Sequence, residues 1–130
     1  MNTRDTTSQM NKEVVLAFYE AALNEKDFEK ASRYFSETYT QHSPLAEEGK
    51  EGFAKFLTFL RDRFPQSRGE VKRVWVDGDF VILHVLEKRR PEDRGDAVVD
   101  IFRVAGGKIV EHWDVTQAIP AECANTNDMI

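Results

Sequence analysis

A histidine and an aspartate lie two residues apart in the segment IVEHWDVTQ, which spans residues 109–117. Valine, isoleucine, tryptophan and threonine favour β-strands, and residues two positions apart in a strand point to the same face. His112 and Asp114 are therefore predicted to be neighbours on one side of a sheet. That side is either exposed to water or lines a pocket, where a carboxylate and an imidazole can exchange protons with a bound molecule.

A second carboxylate interrupts the apolar segment AVVDIFRV, residues 97–104. Asp100 shares a strand face with Val98 and Phe102, and burial of a carboxylate without a partner is strongly unfavourable. Asp100 therefore needs a hydrogen-bond donor, a cation or water close by. A buried salt bridge to an arginine is the structural alternative for both aspartates. In an apolar pocket the pKa of a carboxyl group rises, which suits it to take and return a proton near neutral pH.

The turn between these two strands decides whether the polar side chains meet. A two-residue loop at Gly106-Gly107 pairs Asp100 with Trp113, and Asp100 then faces away from His112. A three-residue loop at residues 105–107 pairs Asp100 with His112 and brings both aspartates and the imidazole to one face. Both loop lengths are common in hairpins. Composition does not choose between them.

Two further histidines and a tryptophan are candidates for contact with a substrate. His84 lies in the apolar segment FVILHVLEK, residues 80–88, where a satisfied core or rim histidine is the structural alternative. His42 stands beside Pro44 in a loop-like stretch, where it could be exposed. Trp113 fits packing better than stacking on a cofactor, although its position in the strand also makes it a candidate for the substrate pocket.

Metal and nucleotide chemistry have little support in the sequence. A divalent metal ion could be held by His42, His84, His112 and Asp100, since imidazole and carboxylate are common metal ligands. No pair of these residues has the close spacing of an HExxH motif, and neither a GxGxxG motif after a strand nor a phosphate loop occurs. We therefore expect acid/base catalysis on a small molecule, without a metal ion or an organic cofactor.

Length and charge narrow the class of protein. The 130 residues fit a single domain, 1–130, and the hydrophobic fraction of 41% is enough for a core. The net charge of −5 argues against nucleic acid or an anionic membrane as the main partner. No apolar run approaches the ~20 residues of a membrane span, and the first ten residues lack the apolar core of a signal peptide. We expect a cytoplasmic protein with flexible ends at residues 1–10 and 121–130.

Helical periodicity dominates the first half of the chain and strand periodicity the second. Apolar spacing predicts helices over residues 15–23, 28–35 and 49–64, the second capped by Asp27. A short strand is expected at residues 38–40. After Gly69 the period changes to two, and strands are predicted around Val74 to Val76 and at residues 80–88, 97–104 and 108–119. This order predicts an α+β fold in which a curved, mostly antiparallel sheet wraps around N-terminal helices and leaves a conical cavity.

Two segments carry a resemblance to a known family. YTQHSPLAEEGKEGF and VVDIFRVAGGKIVEHWDV, together with the helix–helix–strand–helix–sheet order, resemble the SnoaL-like polyketide cyclases of the nuclear transport factor two-like superfamily. The likeness covers nearly the whole chain. Within the family, the chain resembles a bacterial subgroup described as predicted aldol-condensation enzymes. The resemblance implies a cone-shaped α+β barrel and a homodimer that forms through the outer face of the sheet.

The resemblance also implies roles for residues. An aspartate on the last strand is the general acid/base of characterised cyclases, and the matching segment GKIVEHWD assigns that role to Asp114. A family histidine on the preceding strand falls at Asp100, which departs from the family pattern. The resemblance favours the hairpin in which both aspartates and His112 share the pocket face, and it implies that Tyr39, Gln41 and His42 lie near the mouth or floor of the pocket.

The expected reaction is an aldol-type ring closure. Asp114 would remove a proton next to a carbonyl group, a donor such as His84 or Gln41 would hold the enolate oxygen, and the carbanion would attack a second carbonyl of the same molecule. The main alternative is a small-molecule binding domain of the same fold without catalytic activity, since one fold hosts many functions.

Overall fold

Helices pack on one face of a five-stranded sheet in the computed structural model, which describes residues 3–130. The helices of this part of the chain are α1 (Thr3–Tyr19), continued by a π-helical turn (Glu20–Asn24), α2 (Phe28–Ser32) and α3 (Gly49–Arg63). The strands are β1 (Phe35–Gln41), β2 (Arg68–Asp77), β3 (Phe80–Lys88), β4 (Asp96–Ala105) and β5 (Lys108–Ala118). The spatial order is β1-β5-β4-β3-β2, and only the β1–β5 pair is parallel. The predicted α+β class with a mostly antiparallel sheet is confirmed.

Side-chain caps and turn residues set the helix ends. The carboxylate of Asp27 accepts a hydrogen bond from the backbone N–H of Lys30 at 3.0 Å, so the predicted cap is confirmed. The helix α3 ends at Arg63, two residues before Pro65, which disfavours helix at the residue preceding it. Phe35, expected on the second helix, instead begins β1.

The ends of the chain differ from each other. Residues 3–10, expected to be frayed, belong to α1, while residues 1 and 2 lie outside the described residues. Residues 119–130 form neither helix nor strand, and the flexibility expected of 121–130 stays a prediction. Within residues 3–130, no helix combines the length and the apolar character that a membrane span requires.

Aromatic and branched side chains fill the space between the helices and the concave face of the sheet. Phe18 of α1 packs against the rings of Phe35, Phe53 and Phe102, with ring centroids 4.8, 5.5 and 5.7 Å away. From β3, alternate residues Val81, Leu83 and Val85 are fully buried in this core. The residues between them point to the outer face of the sheet, because side chains alternate along a strand.

A β-bulge sets the register of the last hairpin. The turn is the two-residue loop at Gly106-Gly107, but the pairing shifts by one residue between Arg103 and Val104. Asp100 therefore pairs with Asp114, and neither predicted partner, Trp113 or His112, is correct. The bulge adds one residue to β5. Because of this extra residue, His112 and Asp114 point to the same face of the sheet as Asp100. The predicted common face of Asp100, His112 and Asp114 thus arises from a register that sequence reasoning did not consider.

Candidate functional site

A cavity of about 90 Å³ lies between the concave face of the sheet and the helices. Its apolar wall includes Phe18, Leu23, Phe53, Phe56, Leu60 and Phe102. Five of the predicted site residues line it: Tyr39, Gln41, Asp100, His112 and Asp114. An apolar cleft with a few convergent polar groups is the usual form of a small-molecule site.

A chain of hydrogen bonds joins four of these residues. The Oδ1 atom of Asp100 lies 2.8 Å from Nε2 of His112, and Nδ1 of His112 lies 2.7 Å from Oε1 of Gln41. The Nε2 amide of Gln41 donates to the hydroxyl oxygen of Tyr39 at 2.7 Å. Because Oε1 of Gln41 also accepts from the backbone N–H of Ser43, at 3.0 Å, it is the acceptor for the imidazole. His112 therefore carries a proton on Nδ1.

This arrangement leaves one proton to be shared between Asp100 and His112. With Nδ1 protonated, the contact between Nε2 and Oδ1 holds a single proton, either on the carboxyl group or on the ring. Burial raises the pKa of Asp100, an effect opposed by the hydrogen bond and charge of His112 and reinforced by the charge of Asp114. The partner of Asp100 is thus the histidine, not an arginine as in the structural alternative.

Asp114 is a carboxylate without a partner. It lies directly opposite Asp100 in the β4–β5 ladder, lines the cavity and is half-buried. Among residues 6–130, whose side chains are described, no group donates a hydrogen bond to its side chain or forms an ion pair with it. Its oxygens are therefore free to accept a proton from a bound molecule.

Glu87 also faces the cavity, and sequence reasoning missed it. It lies on β3, two residues beyond the inward-facing Val85, and pairs with Asp96 of β4. Burial, reinforced by the charges of Asp100 and Asp114 and opposed by Arg89, raises the pKa of Glu87 to about 8. The pattern of inward-facing residues Val81, Leu83 and Val85, continued by two positions along β3, leads to Glu87. This signal could have identified the residue, because every second side chain of a strand points to the same face.

A tyrosine hydroxyl and a glycine meet at the same wall. The Tyr19 side chain is 3% exposed, and its hydroxyl has no hydrogen-bond partner among the described residues. Burial raises the pKa of this hydroxyl. The hydroxyl occupies the place that a side chain at Gly69 would need. Asn24 holds Gly69 through both backbone groups, because its amide accepts from the N–H at 2.8 Å and donates to the C=O at 3.0 Å.

Gly69→Ala is expected to lower the free energy of unfolding by about 1–3 kcal/mol, the usual result of overpacking. A Cβ atom at this position would lie 1.9 Å from the Tyr19 hydroxyl oxygen. Urea denaturation measures the change. The double variant Gly69→Ala, Tyr19→Phe should recover part of the loss because it removes the closest atom. A Gly69→Ala protein as stable as the wild type would contradict this packing.

Three of the residues predicted to contact a substrate do not line the cavity. His84 is on the outer face of the sheet, where its Nδ1 lies 3.1 Å from Nη1 of Arg73. His42 stacks on Trp113, with ring centroids 4.8 Å apart, and its Nε2 lies 2.7 Å from the carboxylate of Glu111. Trp113 stands between two inward residues of β5, so strand alternation directs it outward.

The predicted metal set does not assemble, because His42 and His84 lie away from His112 and Asp100 on the opposite face of the sheet. A different group, Asp100, His112 and Asp114, places one possible ligand atom from each residue within 4.8 Å of the others. Both ring nitrogens of His112 already have hydrogen-bond partners. A metal ion at this group would have to displace Asp100 from Nε2, so the contacts favour proton transfer over metal binding.

Comparison with known proteins identifies the family and structures of similar fold. The family described as SnoaL-like domain matches residues 15–112. IdmH of Streptomyces antibioticus, a proposed polyketide cyclase, has 23% identity and a TM-score of 0.69, over 82% of this chain and 91% of its own. An uncharacterised cystatin-fold protein of Novosphingobium aromaticivorans has 23% identity and a TM-score of 0.71, over 81% of this chain and 97% of its own.

A third similar structure is that of a protein with a different proposed activity. AclR of Streptomyces galilaeus, a proposed hydroxylase, has 25% identity and a TM-score of 0.70, over 87% of this chain and 82% of its own. No curated protein matches the sequence. Different activities have thus been proposed for proteins of this fold, and function has to be argued from the site itself.

Proposed function

The chain belongs to the family of SnoaL-like domains, and from this membership we propose that it catalyses a cofactor-independent, aldol-type ring closure. The substrate is a small carbonyl compound bound in the cavity. The observation that carries the proposal is the unpaired carboxylate of Asp114, which faces the cavity beside the hydrogen-bonded chain from Asp100 to Tyr39.

Proton abstraction is the first step of the proposed reaction. Asp114 takes the proton next to a carbonyl group, and the electron pair moves to the carbonyl oxygen to form an enolate. The hydroxyl of Tyr39 is the best donor to that oxygen. Its oxygen accepts from Gln41, so its own O–H remains to be donated. It replaces the donors first expected, since His84 lies on the outer face of the sheet and the amide of Gln41 is bound to Tyr39 and His112.

Asp100 and His112 hold the site in place. The two hydrogen bonds of the imidazole fix the orientation of its ring, and the amide of Gln41 transmits that orientation to Tyr39. Electrostatic stabilisation of an enolate depends on donors that need no rearrangement during the reaction. We therefore assign Asp100 and His112 to positioning the donor, and Asp114 to removing the proton.

The test uses heptane-2,6-dione, a small compound with two carbonyl groups. In D₂O, NMR follows exchange of the protons next to its carbonyls, which reports proton abstraction, and also follows the cyclic product 3-hydroxy-3-methylcyclohexanone. The protein is expected to accelerate both processes over buffer alone. Binding of the dione without any exchange would contradict the catalytic proposal and support the alternative, a binding domain of the same fold.

We also propose that the protein is a homodimer formed through the outer face of the sheet. This face carries Trp75, Phe80 and Val115, which are 53%, 38% and 67% exposed. An exposed group of large apolar residues is a common sign of a protein interface. The proposed cellular compartment is the cytoplasm, which agrees with the free thiol of Cys123.

Trp75→Glu is expected to convert the dimer to a monomer, because it places a charge on the apolar outer face of the sheet. Size-exclusion chromatography with light scattering measures the mass of wild type and variant. Met10→Glu is the matched control, since Met10 is 57% exposed on α1, away from the sheet, and its substitution should leave the dimer intact. A wild-type protein that is monomeric at high concentration would contradict the proposal.

A further inference from the structure

Tyr19 and Glu87 are among the polar residues of the cavity that have no part in the reaction described above. The hydroxyl of Tyr19 is buried without a hydrogen-bond partner among the described residues. The carboxyl group of Glu87 has no hydrogen bond or ion pair within the same part of the chain. Buried polar groups nearly always have partners. The unpartnered hydroxyl of Tyr19, together with the unpartnered, half-buried carboxyl group of Glu87 in the wall of the same cavity, points to a ligand that supplies them.

The sheet register brings these two groups together. Gly69 of β2 pairs with Glu87 of β3, and directly opposite residues of an antiparallel pair point to the same face with their Cβ positions about 5 Å apart. The direction of the missing side chain at Gly69 is filled by the Tyr19 hydroxyl. The hydroxyl therefore lies beside the side chain of Glu87, and the charge of Glu87 is the largest electrostatic influence on it.

The tyrosine is held at this place before any ligand arrives. Tyr19 is the last residue of α1, and the following π-helical turn ends at Asn24. The amide of Asn24 makes two hydrogen bonds to the backbone of Gly69, which ties the end of the helix to the strand. Single π-helical turns of this kind occur often at functional sites.

We propose that Tyr19 and Glu87 form a second oxygen-binding subsite, at which the carboxyl group of Glu87 protonates the acceptor carbonyl oxygen during ring closure. This inference rests on the proposed function and gives each of the two carbonyl groups of the substrate its own place: one is held at Tyr39 and the other at Tyr19 and Glu87. The enolate oxygen and the acceptor oxygen then have separate donors within one cavity.

The protonation state of Glu87 suits this role. Burial raises its pKa to about 8, so the group carries a proton to donate at neutral pH. Tyr19 lies at its side. The carboxylates of Asp100, Asp114 and Asp96 keep the proton on Glu87, and Arg89 weakens that effect. Arg68 and Lys88 also line the cavity. The unpaired Asp114 thus serves as base while Glu87 serves as acid.

The atoms and electrons of the step balance without any further reactant. The electron pair of the enolate forms the new carbon–carbon bond to the acceptor carbon, and the π pair of that carbonyl moves to its oxygen. The oxygen takes the proton of Glu87, which becomes a carboxylate, while Asp114 holds the proton taken from the substrate. Transfer of that proton from Asp114 to Glu87 through solvent restores the starting state. The product is a cyclic hydroxyketone, an isomer of the dicarbonyl substrate.

Glu87→Gln separates the acid step from the base step. Ring closure of heptane-2,6-dione should slow by about 100-fold or more, the usual contribution of general acid catalysis, while proton exchange next to the carbonyls stays within a few-fold of wild type. In the wild type, ring closure should decline as the pH rises through about 8, and the residual rate of Glu87→Gln should lack this decline. Glu70→Gln is the control, because Glu70 stands next to Gly69 but is exposed and paired with Lys72.

Tyr19→Phe tests the second donor. It should raise the KM for the dione about tenfold, as expected from loss of one hydrogen bond in an apolar site, and it should leave proton exchange at saturating dione close to wild type. Thermal unfolding of each variant confirms that it is folded. An unchanged KM would remove Tyr19 from the subsite.

The remaining outcomes each decide the question. Ring closure at the wild-type rate in Glu87→Gln overturns the proposal, and so does an equal loss of exchange and ring closure in a folded variant. If the wild type shows no exchange at all, the proposed function fails, and an NMR titration with the dione judges the subsite separately. Weaker binding in both Tyr19→Phe and Glu87→Gln then supports the subsite; unchanged binding, or no binding to the wild type, overturns it.

Discussion

Asp114→Asn is expected to slow proton exchange of heptane-2,6-dione by about 10²- to 10⁴-fold, the range that general base catalysis contributes. The amide keeps the size of the carboxylate but has no lone pair basic enough to take a carbon-bound proton. Ring closure should fall by at least the same factor, since it follows proton abstraction. NMR in D₂O measures both rates in one sample.

The same substitution should hardly change stability. The side chain of Asp114 has no hydrogen bond or ion pair to lose to any side chain of residues 6–130, and substitutions without such contacts usually change the free energy of unfolding by about 0.5 kcal/mol or less. Asp62→Asn, on the exposed surface of α3, is the matched control and should keep full activity. Wild-type exchange in Asp114→Asn would show that another group removes the proton.

The second large effect is expected in the pH dependence of stability. The pKa of Glu87 rises from its ordinary 4.5 to about 8 on folding, so the folded protein binds this proton more tightly than the unfolded chain does. The resulting stabilisation is fully present below pH 4.5 and is lost as the pH rises toward 8. Each pKa unit corresponds to about 1.4 kcal/mol. Because the side chain is not completely buried, we expect a loss of roughly 3 kcal/mol.

Glu87→Gln isolates this contribution, because glutamine does not titrate. The free energy of unfolding of the variant should be close to wild type near pH 5 and higher than wild type by about 3 kcal/mol near pH 9. Urea denaturation across this range measures the difference, and Glu70→Gln should follow the wild type at every pH. A difference between Glu87→Gln and wild type that does not vary with pH would contradict a raised pKa at this residue.

Glu87→Gln is expected to have opposite effects on stability and on activity. At alkaline pH the variant is expected to be more stable than the wild type and less able to close a ring. A carboxyl group kept in an apolar cavity lowers stability once it is ionised, and proteins tolerate such groups where activity requires them. This combination would distinguish a functional group from one that merely packs.

Local patterns in the sequence determined the elements and the faces of the strands. The period of 3.6 residues located α3 to within one residue, and Asp27 marked the start of α2. The period of two placed His112 and Asp114 on one side of β5. These predictions succeed because they depend on neighbours along the chain, where backbone geometry alone decides which side chains lie together.

Only the tertiary structure decided which face of each strand forms the cavity and which partners meet there. His84 and Glu87 lie on one strand, yet the predicted residue points outward and the overlooked one lines the cavity, because the helices pack on the face of Leu83 and Val85. The bulge in β5 set the partner of Asp100. Register and helix packing arise from contacts between residues far apart in the sequence, and a shift of one residue exchanges the two faces of a strand.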